Sequence, residues 1–122
     1  MNVRRLLPPL FWAGLLFGFV VAILPKPIAL PGNPGDKVQH ILAFLVLTAL
    51  ACLAYPRAGL IKILIGMSAY GALIEFAQMI PVLNRHAELL DWLADTAAAG
   101  FVLLLVALLR RRPGRTPART GR

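Results

Sequence analysis

The chain has few charged residues and almost no cysteine. Charged residues make up 15% of its 122 residues, and only five of them are acidic. Cys52 is the single cysteine, which excludes an internal disulfide framework and every zinc motif built on cysteine pairs. The low charge and the 59% hydrophobic content are typical of a chain that is solvated by lipid. This length accommodates one domain.

Four apolar segments each approach the ~20 residues that a helix needs to cross the hydrocarbon core. Pro- and Gly-rich connectors separate them: "PKPIALPGNPGDK", "PRAG" and "PVLNRHAEL". The sequence therefore predicts an all-α membrane protein, a bundle of four transmembrane helices in one domain over 1–109. We expect the helices at about 6–24, 38–55, 60–80 and 89–109. The first segment is long, holds Pro8 and Pro9 early and lacks a small-x-small cleavage site, which favours a retained helix over a signal peptide.

The distribution of basic residues predicts the orientation. If the chain starts in the cytoplasm, one side collects 10 of the 13 basic residues, namely Arg4, Arg5, Arg57, Lys62, Arg110, Arg111, Arg112, Arg115, Arg119 and Arg122. Positive charge favours the cytoplasmic side, so we expect both termini there. The basic tail over 110–122 has no interleaved aromatic residues. We expect it to be disordered and to lie against anionic headgroups, and we expect no nucleic-acid partner.

The acids fall on the other side of the membrane in this topology. Glu75 and Gln78 continue a stripe that starts at Gly71, at spacings i, i+4 and i+7, so these residues share one helix face. A carboxylate at that depth needs a partner, and we expect the stripe to point into the bundle. Gly71 offers a place where a neighbouring helix approaches closely.

Two other helices carry polar pairs at the same depth. Asp36 and His40 are four residues apart, with Asp36 as a candidate N-cap, and Asp91 and Asp95 are also four apart. Arg85 is the candidate counter-charge, able to pair bidentately with a carboxylate or a phosphate, and Lys37 is the second. The expected outer pocket consists of Asp36, Lys37, His40, Glu75, Gln78, Arg85, Asp91 and Asp95. Glu88 and His86 match no motif, and we expect them to be loop residues in water.

These residues resemble the VanZ-like family of small bacterial membrane proteins over roughly 36–100. The series "DKVQHILAF", "YGALIEFAQ", Arg85 and "DWLAD" is similar to the motifs of that family, in the same order. Two positions depart from the pattern: Asp95 stands where the family often has Asn, and Ala98 stands where it often has Gly. The resemblance implies a multi-pass protein of the bacterial inner (cytoplasmic) membrane. It also implies a link to the cell envelope and to teicoplanin-type glycopeptide resistance, without an established activity.

Several function classes remain open at this point. The favoured one is a non-enzymatic module whose pocket binds an amphiphile or an envelope headgroup such as a lipid-linked precursor. An enzyme acting on a lipid-linked phosphate or sugar would use His40 as base or nucleophile and Glu75 as its orienter. A purely structural polar network and a small proton-coupled exporter also fit the sequence. We expect no cofactor and no metal, although the enzyme hypothesis would allow a divalent cation on Asp36, His40, Asp91 and Asp95. An oligomer is compatible with the sequence.

Overall fold

The computed structural model describes residues 2–24, 36–83 and 87–111. Within these ranges the chain is helical throughout, apart from short turns, and contains no strand. Two short 3₁₀ helices precede α1 and α4. The elements in chain order are a 3₁₀ helix Val3–Leu6, α1 Leu7–Ile23, α2 Asp36–Ala54, α3 Leu60–Gln78, a 3₁₀ helix Pro81–Leu83 and α4 Leu89–Arg110.

All four α-helices are long and apolar enough to cross a membrane, with mean hydropathies from 1.6 to 2.2 over their most apolar windows. Large hydrophobic side chains point away from the bundle; Phe17 and Phe76 are each 70% exposed. Such a surface is stable in lipid, where a helix also satisfies its own backbone hydrogen bonds. The prediction of an all-α bundle of four membrane-spanning helices is confirmed, and the chain is a multi-pass membrane protein.

The helix ends differ from the predicted ones mainly in α2 and α3. α3 ends at Gln78, two residues before the predicted end, because Pro81 disfavours a helical conformation at Ile80. Glu75 therefore lies only three residues, ~4.5 Å, below the helix end. α2 begins at Asp36, two residues before the predicted start. The N-cap role of Asp36 stays a prediction.

The helices run alternately up and down. α4 packs against both α2 and α3, whereas α1 packs mainly against α2. One end of the bundle, which we call the acidic end, contains the start of α2, the end of α3 and the start of α4. The opposite, basic end carries Arg4, Arg5, Arg57, Lys62, Arg110 and Arg111.

Small residues bring the helices together beneath the acidic end. Gly71 of α3 is buried, and a Cβ atom added there would lie 3.3 Å from Cζ of Phe44 in α2 and 3.4 Å from Cδ1 of Trp92 in α4. Phe44, at 1% exposure, and Ala99, at 0%, lie in the core. This close packing of α2, α3 and α4 fixes the positions of the polar side chains one turn above it.

Candidate functional site

Three polar side chains from three helices converge at the acidic end. His40 of α2, Glu75 of α3 and Asp95 of α4 each offer a nitrogen or oxygen atom, and these atoms all lie within 4.8 Å of one another. The side chain of Asp95 is only 1% exposed and that of His40 only 10%. We call these three residues the triad. Its members lie within two turns of their helix ends, inside the apolar spans.

Within the triad, the imidazole of His40 faces the carboxylate of Asp95. Nδ1 of His40 lies 3.7 Å from Oδ2 of Asp95, which is longer than a hydrogen bond between these atoms. An imidazole facing a carboxylate is an arrangement that orients the ring, whether the ring acts as a base or as a metal ligand.

The two carboxylate oxygens of Glu75 have different surroundings. Oε2 accepts a hydrogen bond from the backbone N–H of Glu88 at 3.0 Å. Oε1 has less than 1 Å² of accessible surface and receives no hydrogen bond from the described residues. Glu75 also lies in the last turn of α3, where the helix dipole disfavours negative charge. The position therefore calls for a positively charged partner.

Lys37 belongs to an outer layer of the site, which we call the rim. Its Nζ lies 3.4 Å from Oδ1 of Asp91 and 4.0 Å from Oε2 of Glu88. The side chains of Lys37 and Glu88 are half exposed, at 50% and 57%, and that of Asp91 is 15% exposed. The ammonium group of Lys37 thus faces the rim acids Asp91 and Glu88. Asp91 lies one helical turn before Asp95 in α4.

Gln78 has a different contact from the one the sequence suggested. It is buried, and its Nε2 donates a hydrogen bond to the backbone carbonyl oxygen of Ala22 in α1 at 2.9 Å. That carbonyl lies in the last turn of α1, where carbonyl groups lack partners within their own helix. The amide of Gln78 therefore joins α3 to the end of α1.

The structure does not describe the side chains of two predicted site residues, Arg85 and Asp36. Arg85 and its neighbour His86 lie outside the described residues, as does the tail from 112 to 122. Asp36 is described as the first residue of α2, but its side chain is not described. The counter-charge assigned to Arg85 stays a prediction.

Sequence reasoning missed a polar network directly below the triad. Trp92 Nε1 donates to the carbonyl oxygen of Ser68 at 3.0 Å, and the hydroxyl groups of Ser68 and Thr96 lie 3.1 Å apart. Ser68 precedes Gly71 and Glu75 by three and seven residues, so it extends the same helix face. That periodicity was the signal that would have found it. Glu88, expected to be a loop residue in water, also contributes its backbone N–H and a rim carboxylate.

The potential metal ligands that the described residues bring together differ from those that the enzyme hypothesis suggested. His40 and Asp95 belong to both sets. Glu75 takes the place that the sequence gave to Asp91, because Asp91 faces Lys37 at the rim. The donors of the triad therefore come from three different helices, whereas the sequence drew its donors from α2 and α4 alone.

Comparisons with protein-family models, with curated proteins and with solved structures find no match to this chain. The resemblance to the VanZ-like family stays a prediction that rests on short motifs. Two parts of that pattern, the His of "DKVQHILAF" and the Glu of "YGALIEFAQ", are members of the triad. Function must therefore be argued from the geometry of the acidic end.

The charge of the acidic end limits what it can bind. Its described residues carry four carboxylates, from Glu75, Glu88, Asp91 and Asp95, against one ammonium group and one imidazole. An excess of negative charge in a setting of low polarity attracts cations and donors of hydrogen bonds. Lys37 is the described group that can bind an anionic part of a ligand at the mouth of the site.

Proposed function

We propose that the acidic end binds the polar headgroup of an amphiphile in the outer leaflet of a bacterial inner membrane. The observation that carries this proposal is the convergence of His40, Glu75 and Asp95 from three helices, within two turns of the helix ends at the acidic end. An apolar tail would lie against the exposed hydrophobic faces of the bundle, while the headgroup would reach the polar groups at its end.

The two layers of the site suit the two ends of a headgroup. The inner triad supplies acceptors that bind amine or hydroxyl groups of a ligand, and the half-exposed ammonium group of Lys37 supplies a contact for a phosphate. This division fits a lipid-linked envelope precursor or another zwitterionic amphiphile. It is compatible with the envelope role and the glycopeptide tolerance that the VanZ-like resemblance implies.

The orientation is part of the proposal. The basic end carries six described Arg and Lys residues, and the acidic end carries Lys37 as its described basic residue. Positive charge is retained on the cytoplasmic side, so the acidic end would face the exterior. Cell-wall precursors are presented on that side of the membrane.

A second candidate is a hydrolase or transferase that acts on the same headgroup. The observation that favours it is the face-to-face placement of the His40 ring and the Asp95 carboxylate, with Nδ1 and Oδ2 3.7 Å apart. A carboxylate that orients an imidazole is a common arrangement for a general base. In this candidate mechanism Asp95 would orient the ring of His40, the role that the sequence suggested for Glu75.

Native mass spectrometry tests the binding proposal with a matched pair of lysine variants. The protein is released from its own membrane in mild detergent, and its retained lipids are compared among wild type, Lys37→Gln and Lys62→Gln. Lys37 lies at the acidic end and Lys62 at the basic end, both exposed. We expect wild type and Lys62→Gln to retain one lipid class. We expect Lys37→Gln to lose about fivefold of it, the effect of ~1 kcal/mol for a half-exposed charge contact.

One result of this experiment would contradict the binding proposal. If all three proteins retain the same mixture of bulk phospholipids, the acidic end does not select a headgroup. The polar network then only holds the helices together.

A further inference from the structure

We propose that His40, Glu75 and Asp95 bind a divalent transition-metal ion of the Zn²⁺ class at the acidic end. This inference goes beyond headgroup binding, since the ion would be held by the protein whether or not an amphiphile is present. It also departs from the sequence, from which no metal was expected.

The three donor atoms of the triad lie close enough together to share one ion. Three atoms that all lie within 4.8 Å of one another share a point no more than about 2.8 Å from each, which is 4.8 Å divided by √3. Zinc binds imidazole nitrogen and carboxylate oxygen at about 2.0–2.2 Å. Each donor would need to move inward by less than about 0.8 Å, which small side-chain rotations provide.

The chemistry of the donors selects the class of ion. Imidazole nitrogen suits zinc and other late transition metals, and carboxylate oxygen is accepted by zinc as well. A hard ion such as Mg²⁺ prefers oxygen ligands and keeps several waters, which suits a buried histidine less well. Three protein donors leave at least one coordination position for water or another ligand.

An independent observation concerns Glu75. Its Oε1 is fully buried, yet it receives no hydrogen bond from the described residues, although its Oε2 accepts one from the backbone N–H of Glu88. The hydrogen bond to Oε2 orients the carboxylate, as outer contacts commonly do for metal ligands. Oε1 is then the atom with coordination capacity to spare.

The test uses the full chain in mild detergent, stripped with a chelator and reloaded with one equivalent of Zn²⁺. Bound zinc is measured by elemental analysis after desalting, and affinity by competition with a chromophoric chelator. The matched variants are Glu75→Gln and Glu88→Gln, since Glu88 contacts Glu75 only through its backbone N–H and has a half-exposed side chain. We expect about one zinc per wild-type chain and at least ~10-fold weaker binding in Glu75→Gln. Glu88→Gln should stay within about fivefold of wild type.

A second variant and a second readout distinguish loss of the metal site from loss of folding. Co²⁺ bound to wild type should give visible d–d absorption, and His40→Cys should retain the ion and add a thiolate-to-metal charge-transfer band. Zn²⁺ should also raise the melting temperature of wild type. A structural role for the triad alone would produce neither spectrum.

Two results would overturn the metal site. One is a wild type that binds no Zn²⁺ or Co²⁺ after reloading; the other is equal weakening of Zn²⁺ binding in Glu75→Gln and Glu88→Gln. Lipid retention, measured separately, keeps the two proposals apart. Protein that binds no metal after reloading but selects its lipid refutes the metal site and leaves headgroup binding. Protein that binds the metal but selects no lipid does the reverse.

Discussion

A methyl group added at Gly71 tests the packing on which the acidic end rests. The new Cβ would lie 3.3 Å from Cζ of Phe44, closer than ordinary van der Waals contact, and 3.4 Å from Cδ1 of Trp92, at the lower limit of such contact. Phe44 is 1% exposed and lies in the core. Trp92 is held by the hydrogen bond from its Nε1 to the carbonyl oxygen of Ser68 at 3.0 Å. Because the buried Phe44 ring would have to shift by a few tenths of an ångström beside the hydrogen-bonded ring of Trp92, we expect Gly71→Ala to destabilise the bundle.

The size of the effect follows from two opposing contributions. Alanine is a better helix former than glycine by ~0.8–1 kcal/mol. Overpacking a tight interior position costs ~1–3 kcal/mol. Gly66 lies on the same helix, and a Cβ there would meet no atom within 4 Å, so Gly66→Ala carries the helix term alone. The difference between the two variants is therefore the packing cost, ~1–3 kcal/mol.

Equilibrium unfolding in mixed micelles of mild detergent and sodium dodecyl sulfate measures this difference. Far-ultraviolet circular dichroism follows the loss of helix in wild type and both glycine variants. We expect Gly71→Ala to unfold at lower denaturant than Gly66→Ala. Equal stability of the two variants, or a more stable Gly71→Ala, would show that α2 and α4 do not approach α3 as closely as the structure has them.

Two further predictions concern the helix contacts and the orientation. Tyr70→Phe removes the hydroxyl group that donates to the carbonyl oxygen of Leu15 at 2.6 Å, and we expect a loss of ~0.6–2 kcal/mol in the same unfolding assay; unchanged stability would contradict that bond. For the orientation, a single cysteine is placed at Arg57 or Glu88 after Cys52→Ala, and intact cells are treated with an impermeant maleimide. Glu88→Cys should react at once and Arg57→Cys only after permeabilisation, and the reverse pattern would refute an exterior acidic end.

The fold could be predicted because a membrane imposes strong length and composition rules on a chain. A spanning helix needs ~20 apolar residues, and Pro- and Gly-rich connectors separate such runs. α1 and α4 begin and end within one residue of the predicted bounds. The end of α3 was harder to predict, since "AQMIP" stays apolar up to Pro81 while the helix ends at Gln78. Hydropathy does not register the conformational effect of a proline on the residue before it.

The site could be predicted only in part because periodicity defines a face and not a partner. The stripe of Gly71, Glu75 and Gln78 was expected to point into the bundle, with Glu75 and Gln78 in one pocket. In the structure Glu75 joins the triad, whereas Gln78 turns to the carbonyl oxygen of Ala22 in α1. The two residues are three apart, a difference of about 60° around the helix axis at 3.6 residues per turn. That angle separates two neighbouring helices, and only the packing of the bundle shows which neighbour each residue faces.

Depth separates the roles of two acids that the sequence treats alike. Asp91 and Asp95 lie on one face of α4, one turn or ~6 Å apart along its axis. Asp91 lies in the first turn, where the helix dipole and the ammonium group of Lys37 both stabilise a carboxylate. Asp95 lies one turn deeper, at 1% exposure, and faces His40 instead. The rim acid therefore pairs with an ammonium group at the half-exposed surface, whereas the deep acid lies beside an imidazole inside the bundle, so one sequence pattern places two carboxylates in different electrostatic surroundings.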